Sequence, residues 1–546
     1  MNFTVCNENG EQLAILSTGE VVDGKLMAQA GKVVIIRTEI PYAGTVSYWT
    51  PDIPYFAQPR LPWREEFTCG ANRNFPVWVQ LDHESRACGA VGITNCIDDC
   101  LVQAAMNQET GMCEITFTAA VTKWSRPFAL WGVEVGECIT LMEVLRNYRN
   151  AVGAEVPESF PKDAWNPVYC TWYAVHAALT GEYLRQNAAA ARELGFGTFI
   201  VDDGWCIDAA KRVNPVTIQD WYNAVGDWEV SQAKLPEMSA VVKEARDAGW
   251  KYLFWTAPLM VGRCSALNQL VSKFKNQLHE GYRLMSPDDE AGKRSVIQAL
   301  SRAMEEYDLD GLKVDFLDEL RPDPWNPICG QVYEYIVELV NAVRKIKPQA
   351  LIEFRQKYAV PQLAGLATAF RAGDVPFAFA QNYLLCLHLR MMMGDGMPIH
   401  ADPVYFRNDD SPETVARHMI CSLAGVPMLS MELASLSESA RKIIRHWLQV
   451  YREWQEVLNF GKWTILPQFG FVPWCTASAN GRTVIFLWKT EYLETALRNA
   501  DGSFVIFNLS DEKLALPGCT GRDCFGNPSE GAPPGGLLQG NTSLLK

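Results

Sequence analysis

Lys313 and Asp315 are the residues from which a chemistry can first be read. They lie in the stretch Asp310-Gly-Leu-Lys-Val-Asp-Phe-Leu-Asp-Glu-Leu320, where Leu312, Val314 and Phe316 have strand spacing. That spacing puts Lys313 and Asp315 together on the opposite face. In a parallel α/β sheet this face is buried too, so an ammonium and a carboxylate there need a reason. One reading is an internal ion pair between packed strands. The other is a reactive carboxylate at the C-terminal end of a barrel strand, kept ionised by its lysine. The second is favoured because the pattern recurs along the chain.

Other strand ends carry the same kind of side chain: Trp172, Asp202-Asp203-Gly204-Trp205, Trp255, Arg355, Arg371 with Asp374, and His400. Each has a plain structural reading: Asp203-Gly204 can be a turn, Trp255 can be core, and His400-Ala-Asp402 reads as a structural pair. Together they are harder to explain that way. Two carboxylates from different strands, one ionised and one protonated, are what glycoside hydrolysis requires. Lys313 suits Asp315 to the ionised role, and Asp374, beside Arg371 and Gly373, could donate a proton to a leaving oxygen. Asp202 and Asp203 could accept hydrogen bonds from sugar hydroxyls, and a tryptophan could stack on a sugar face. The histidines are isolated and lack ligand spacing, and no Gly-rich phosphate turn follows the first strand, so neither a metal nor a cofactor is expected.

The elements that must position these residues alternate strand and helix between Val168 and Met431, in eight pairs about thirty residues apart. The expected strands are Val168–Tyr173, Thr198–Val201, Lys251–Trp255, the Lys313/Asp315 run, Leu351–Phe354, the run into Arg371, Met397–His400 and Val426–Met431. The fold class read from this is α/β, a central (β/α)8 TIM barrel over 151–458; a doubly wound open sheet is the alternative. Residues 1–150 read as an N-terminal β-sandwich closed by a linking helix from Thr140. Residues 459–546 read as a small C-terminal β-sandwich with an irregular Gly/Pro tail from Gly526.

Composition narrows the partners. A chain of 546 residues with 48% hydrophobic and 21% charged residues is globular with a large core, and a net charge of −14 argues against nucleic acid and anionic membranes. No apolar run is long enough to span a bilayer, and the N-terminus has no signal-peptide pattern. The sixteen scattered cysteines read as reduced, mostly buried thiols, and a cytoplasmic protein is expected. A homo-oligomer is compatible with the sequence.

In combination, Asp202-Asp203-Gly204-Trp205, Gly226-Asp227-Trp228 followed by Lys234-Leu235-Pro236, Trp255 with Pro258-Leu-Met-Val261, and Lys313-Val-Asp315 resemble the motifs of the α-galactosidases of glycoside hydrolase family 36. The resemblance spans about residues 165–400. It implies that Asp315 is the nucleophile and Asp374 the acid/base. It further implies that Asp202 and Asp203 clamp O4 and O6 of the terminal sugar, that Lys313 binds neighbouring hydroxyls, and that Trp228 shapes the pocket. Arg371 is similar to an arginine that contacts the O2 side in the related family 27.

Three departures qualify the sugar. Two acids of the family are replaced after the third strand by Thr256-Ala257-Pro258-Leu259. The segment after Asp315 is Phe316-Leu317-Asp318, and Phe354-Arg355-Gln356-Lys357 stands where a Cys-Ser-Ser-Gly-Gly stretch is expected. The expectation is a retaining exo-α-glycosidase for terminal α-galactosides, with an oligosaccharide or glycoside as its partner. A transglycosylase of raffinose-synthase type, an α-glycosidase for a modified or anionic sugar, and a non-catalytic carbohydrate-binding protein are the alternatives. Arg355 is the residue that points to the anionic sugar.

Overall fold

A computed structural model describes residues 1–57, 64–133, 139–208, 222–275, 281–468 and 470–545. Its centre is an eight-stranded parallel sheet: β1 (Val168–Cys170), β2 (Thr198–Val201), β3 (Lys251–Thr256), β4 (Gly311–Val314), β5 (Leu351–Arg355), β6 (Ala369–Arg371), β7 (Ile399–His400) and β8 (Met428–Leu429). Each strand pairs with its neighbour in chain order, and β8 pairs with β1. The ring is completed by a parallel bridge between His400 and Val426, with Ala401 N–H donating to Val426 O and Val426 N–H to Ile399 O. The (β/α)8 barrel is therefore the observed fold.

Helices follow most strands for the reasons visible in sequence. Helix α1 (Gly181–Leu194) starts at Thr180, whose hydroxyl accepts the Tyr183 amide, and ends at Gly195 in the left-handed region. Helices α2 (Met238–Asp247), α3 (Glu290–Glu306), α4 (Cys329–Ile346), α5 (Phe379–Met393), α6 (Pro412–Ser422) and α7 (Glu438–Phe460) complete the set. Between β5 and β6 there is no full helix: the crossover has only the single turns Gln356–Tyr358 and Pro361–Leu363. A dozen residues interrupted by Pro361 and Gly365 leave no room for more.

The N-terminal region is a sandwich of two six-stranded sheets with a shared apolar interior, among them Val34, Ile36, Phe117, Trp78, Val91 and Leu130. In the strand Val77–Leu81, Trp78 faces this interior, while Val77, Val79 and Leu81 join the main core that continues into the barrel. The linking helix Leu141–Val152 begins with a Thr140/Glu143 capping box, as its sequence suggests. At the other end of the chain a seven-stranded sheet packs Cys475, Ala477, Val484 and Phe486 into the main core that α7 shares, and gathers a second cluster around Trp474, Ile485 and Phe504 on its other face. The Gly/Pro tail is not irregular: Leu537–Asn541 pairs with both Ser503–Asn508 and Thr520–Arg522 inside that sheet. Most described cysteines are buried, and none of them is in a disulfide. No helix among the described residues is long and apolar enough to cross a membrane.

Candidate active site

The C-terminal ends of β1 to β7 bring together most of the residues singled out by type and spacing. β4 ends at Val314, one residue short of Asp315, yet the Asp315 amide still donates to Thr256 O on β3. Phe316 is not the third residue of a strand face. It turns into the left-handed region at φ 57°, and its N–H returns to Asp315 Oδ1 at 2.9 Å. This turn aims the carboxylate into the mouth.

Asp315 is buried and surrounded by donors. Arg355 Nη1 lies 3.1 Å from Oδ1, Trp255 Nε1 donates to Oδ2 at 3.3 Å, and Arg371 Nη2 is 4.0 Å away. Burial alone would raise its pKa, but Arg355, Lys313 and Arg371 outweigh it and hold the carboxyl far below the usual carboxylate range. Asp374, after β6, is the more open of the two acids, its side chain 44% exposed. It takes Arg355 Nη2 at 2.7 Å and Arg371 Nη1 at 2.9 Å. Here too burial raises the pKa, and Arg371 and Arg355 together bring it below its ordinary value. One guanidinium, that of Arg355, thus spans both carboxylates.

The β2 end is built differently. Asp202 accepts Lys313 Nζ at 2.5 Å and the Cys170 thiol at 3.1 Å, and its own N–H donates to Thr171 Oγ1. Burial works against a charged Lys313, but Asp202 more than offsets it and keeps the ammonium protonated. Asp203 is 1% exposed and, among the described residues, neither of its carboxylate oxygens finds a hydrogen-bond partner. Burial first, then the neighbouring Asp202, push its pKa well above the ordinary carboxylate value.

The remaining motif residues hold this edge in place. Gly204 sits at φ 104°, where a Cβ would come within 2.5 Å of Ala177 Cα, so only glycine fits. Lys234 donates to Ala177 O at 2.8 Å and Gly204 O at 2.5 Å. Asp227 receives the amides of Ala266 and Leu267, and Trp205 Nε1 donates to Trp255 O. Trp228 is 1% exposed and packs against Trp205 and Trp255, so it lies beneath the mouth. Trp172 opens a short helix after β1, half-buried and edge-on to His176.

Four groups near the mouth were not taken as site residues from the sequence. Glu353 is hidden within the apolar run of β5, and its Oε2 lies 2.6 Å from His400 Nδ1. Asp402 receives Arg371 Nη1 at 2.6 Å, the Tyr173 hydroxyl at 3.0 Å and the Val375 amide at 2.8 Å. His400 and Asp402 therefore do not pair with each other: Glu353 takes one and Arg371 the other, because the two side chains leave the chain in different directions. Burial pushes Asp402 up to about 7 against the pull of Arg371. Lys357 and Asp52 are the other two. Asp52 belongs to the N-terminal sandwich, yet it lines with Arg355, Gln356, Lys357, Gly373 and Asp374 a cavity of about 320 Å³ beside the acids. Only the alternation of charge in Arg355-Gln-Lys357 could have pointed there. Among the described residues, no group of three His, Cys, Asp or Glu is placed to hold a metal ion.

Comparison with known proteins adds to this geometry. The family model described as Melibiase matches residues 135–278. An α-galactosidase of Escherichia coli is 31% identical over 113 residues, 20% of this chain and 15% of that protein. The chain spans less than half the length of curated relatives it matches, from 15% to 48%. Among solved structures, the galactosidase domain of the α-galactosidase–sucrose kinase AgaSK superposes with a TM-score of 0.64 at 12% identity, covering 99% of this chain and 88% of that one. The family 36 α-galactosidase AgaA of Geobacillus stearothermophilus superposes with a TM-score of 0.63 at 12% identity, covering 87% and 78%. The chain resembles the family 36 α-galactosidases in its motifs, and it shares their fold.

Proposed function

We propose that this chain is a retaining exo-α-glycosidase that hydrolyses terminal α-linked galactosides through a glycosyl-aspartate intermediate. The observation that carries the reading is the pair Asp315 and Asp374, brought within reach of one guanidinium at the mouth of the barrel. Asp315 is buried, ionised and fixed by Arg355, Trp255 and its own following amide, which suits a nucleophile. Asp374 is half-exposed on the solvent side, where a leaving group must depart. In this assignment Asp315 attacks the anomeric carbon opposite the leaving oxygen, and Asp374 protonates that oxygen and then activates water. The carboxylate of Asp203, unpartnered among the described residues and with Asp202 and Lys313 beside it, is a hydroxyl clamp that a bound sugar would complete. Trp172, at the rim, and Trp228, beneath the mouth, shape the sugar pocket.

The similarity to proteins named α-galactosidases supports the choice of sugar. Transfer to a sugar acceptor remains the second reading within the same chemistry, since water and hydroxyls compete for one intermediate. A panel of aryl α- and β-glycosides tests the assignment: α-galactosides should be cleaved, with the α-anomer of galactose seen first by NMR. Binding of sugars without turnover of any aryl glycoside would instead indicate a carbohydrate-binding protein on this scaffold.

A further inference from the structure

The position of Arg355 raises a question that the proposed reaction does not answer. Its guanidinium lies between Asp315 and Asp374, 3.1 Å from one and 2.7 Å from the other, with Phe316 under it at 5.5 Å. A sugar attacked by Asp315 and protonated by Asp374 must place its anomeric bond between the same two carboxylates. Substrate and guanidinium therefore compete for one space. A neutral glycoside that wins leaves Arg355 short of a charged partner in a site only one-fifth open to water, which is costly.

The other cations of the mouth cannot relieve this. Lys313 is committed to Asp202, and Arg371 to Asp402 and Asp374. Arg355, by contrast, also lines the 320 Å³ cavity on the Asp374 side, together with Lys357. Lys357 is 38% exposed, its ammonium 3.4 Å from both the backbone carbonyl and Oδ1 of Asp52, whose carboxylate Asn74 and Arg73 also contact at 2.9 and 3.6 Å. Among the described residues, no aromatic ring lines this cavity. Its recognition groups are two cations, the Gln381 amide, and the two carboxylates Asp52 and Asp374, since the Gln356 amide is taken by Gly373 N–H and His388.

We infer that the leaving group of the natural substrate is anionic, and that Arg355 and Lys357 bind it in the cavity beside Asp374. The inference rests on the proposed glycosidase reaction. The anion takes the place of Asp374 on the guanidinium, so substrate binding re-pairs Arg355 and removes one of the two cations that hold Asp374 ionised, leaving Arg371 on the other oxygen. The sugar side is unsuited to the negative charge, because Asp202 and Asp203 already crowd it. The ligand class is a glycoside whose aglycone carries a carboxylate, sulfate or phosphate.

The test compares 4-carboxyphenyl and 4-carbamoylphenyl α-galactosides, with 4-nitrophenyl α-galactoside as the neutral reference. The carbamoyl phenol is the better leaving group, so bond cleavage alone favours the amide. Wild-type enzyme should nevertheless show kcat/KM roughly tenfold or more in favour of the carboxylate, a preference that shrinks with added salt. Arg355→Gln should bring the ratio to one or below, and Lys357→Gln should lower it part of the way. If Arg355→Gln does not fold, the Lys357→Gln ratio and the wild-type salt dependence decide. A wild-type ratio at or below one, with 4-nitrophenyl α-galactoside still cleaved, overturns the anionic leaving group and leaves the glycosidase standing. Failure of all three substrates removes the glycosidase assignment, and this inference with it.

Discussion

At the end of β4 the carboxylate of Asp315 faces Arg355, Lys313 and Arg371 and accepts three N–H donors, from Arg355, Trp255 and Phe316, whereas at the end of β2 Asp203, also buried, accepts none among the described residues. The two carboxylates lie on one barrel mouth and carry opposite electrostatics. The first is held ionised without a ligand; the second is driven toward its neutral form by burial and by Asp202. A group that must carry charge through a reaction benefits from donors already in place. In the proposed assignment, Asp203 is left for the ligand's own hydroxyls. An unsatisfied buried carboxylate is costly to the fold, so its presence marks a site kept for something else.

The sharpest way to break this contrast is to remove the pre-organised side. Asp315→Gly should abolish turnover, a loss of about 10⁴-fold or more, even for activated aryl α-galactosides, because no glycosyl ester can form. Measurable turnover with net retention in that variant would dismiss Asp315 as the nucleophile. Asp374→Gly should be hit less hard on substrates with good leaving groups, which need little protonation, and should stall after glycosylation. Added azide should then yield the α-azide from the Asp374 variant and, if any product forms, the β-azide from the Asp315 variant. Exchanged anomers would exchange the two roles.

Asp203→Asn probes the waiting side. One carboxylate–hydroxyl hydrogen bond contributes about 1.5–3 kcal/mol, so kcat/KM should fall roughly 10- to 150-fold while the protein folds normally. Unchanged kcat/KM would mean that Asp203 touches no sugar.

The pattern of what was legible in the sequence follows the same division. The barrel strands were readable as short apolar runs, and Asp315, Asp374, Arg371 and Arg355 could be placed because each stands at the end of one. What could not be read depends on partners remote in the chain. Asp402 gains its meaning from Arg371 and Tyr173, more than 30 and 200 residues upstream, as their hydrogen bonds of separation 31 and 229 show. The contribution of the sandwich was likewise invisible. Asn72 donates to the carbonyls of Leu317 and Leu320 just beyond Asp315, and Asp99 caps the start of α4 through Ile328 and Cys329. The turn at Phe316 was misread because an aromatic residue in strand register carries no local sign of a positive φ. The strand in the Gly/Pro tail has a related reason: Leu537–Asn541 is held by its pairing with two neighbours in the sheet, not by its composition.

The smallest expected effect is on stability, and it has opposite signs at the two carboxylates. Asp315 has a folded pKa below its unfolded value, so its contribution to stability is present above that unfolded value, about 3.9, and is lost as pH falls through the folded one. Asp203 has a folded pKa above its unfolded value. Below about pH 3.9 it is protonated in both states and adds no pH dependence. As pH rises from there, the unfolded chain ionises while the native carboxyl stays neutral, and the native state loses stability until the folded pKa is reached. Asparagine at 203 removes this linkage while keeping the side-chain shape. The thermal midpoint of Asp203→Asn should therefore match wild type near about pH 4 and exceed it increasingly toward about pH 7, by a few degrees. Asp315 and Asp374 are present in both proteins, so their acid-side losses cancel in the difference. A variant less stable than wild type at neutral pH would show that Asp203 is satisfied in the native protein, and the contrast between the two ends of the mouth would disappear.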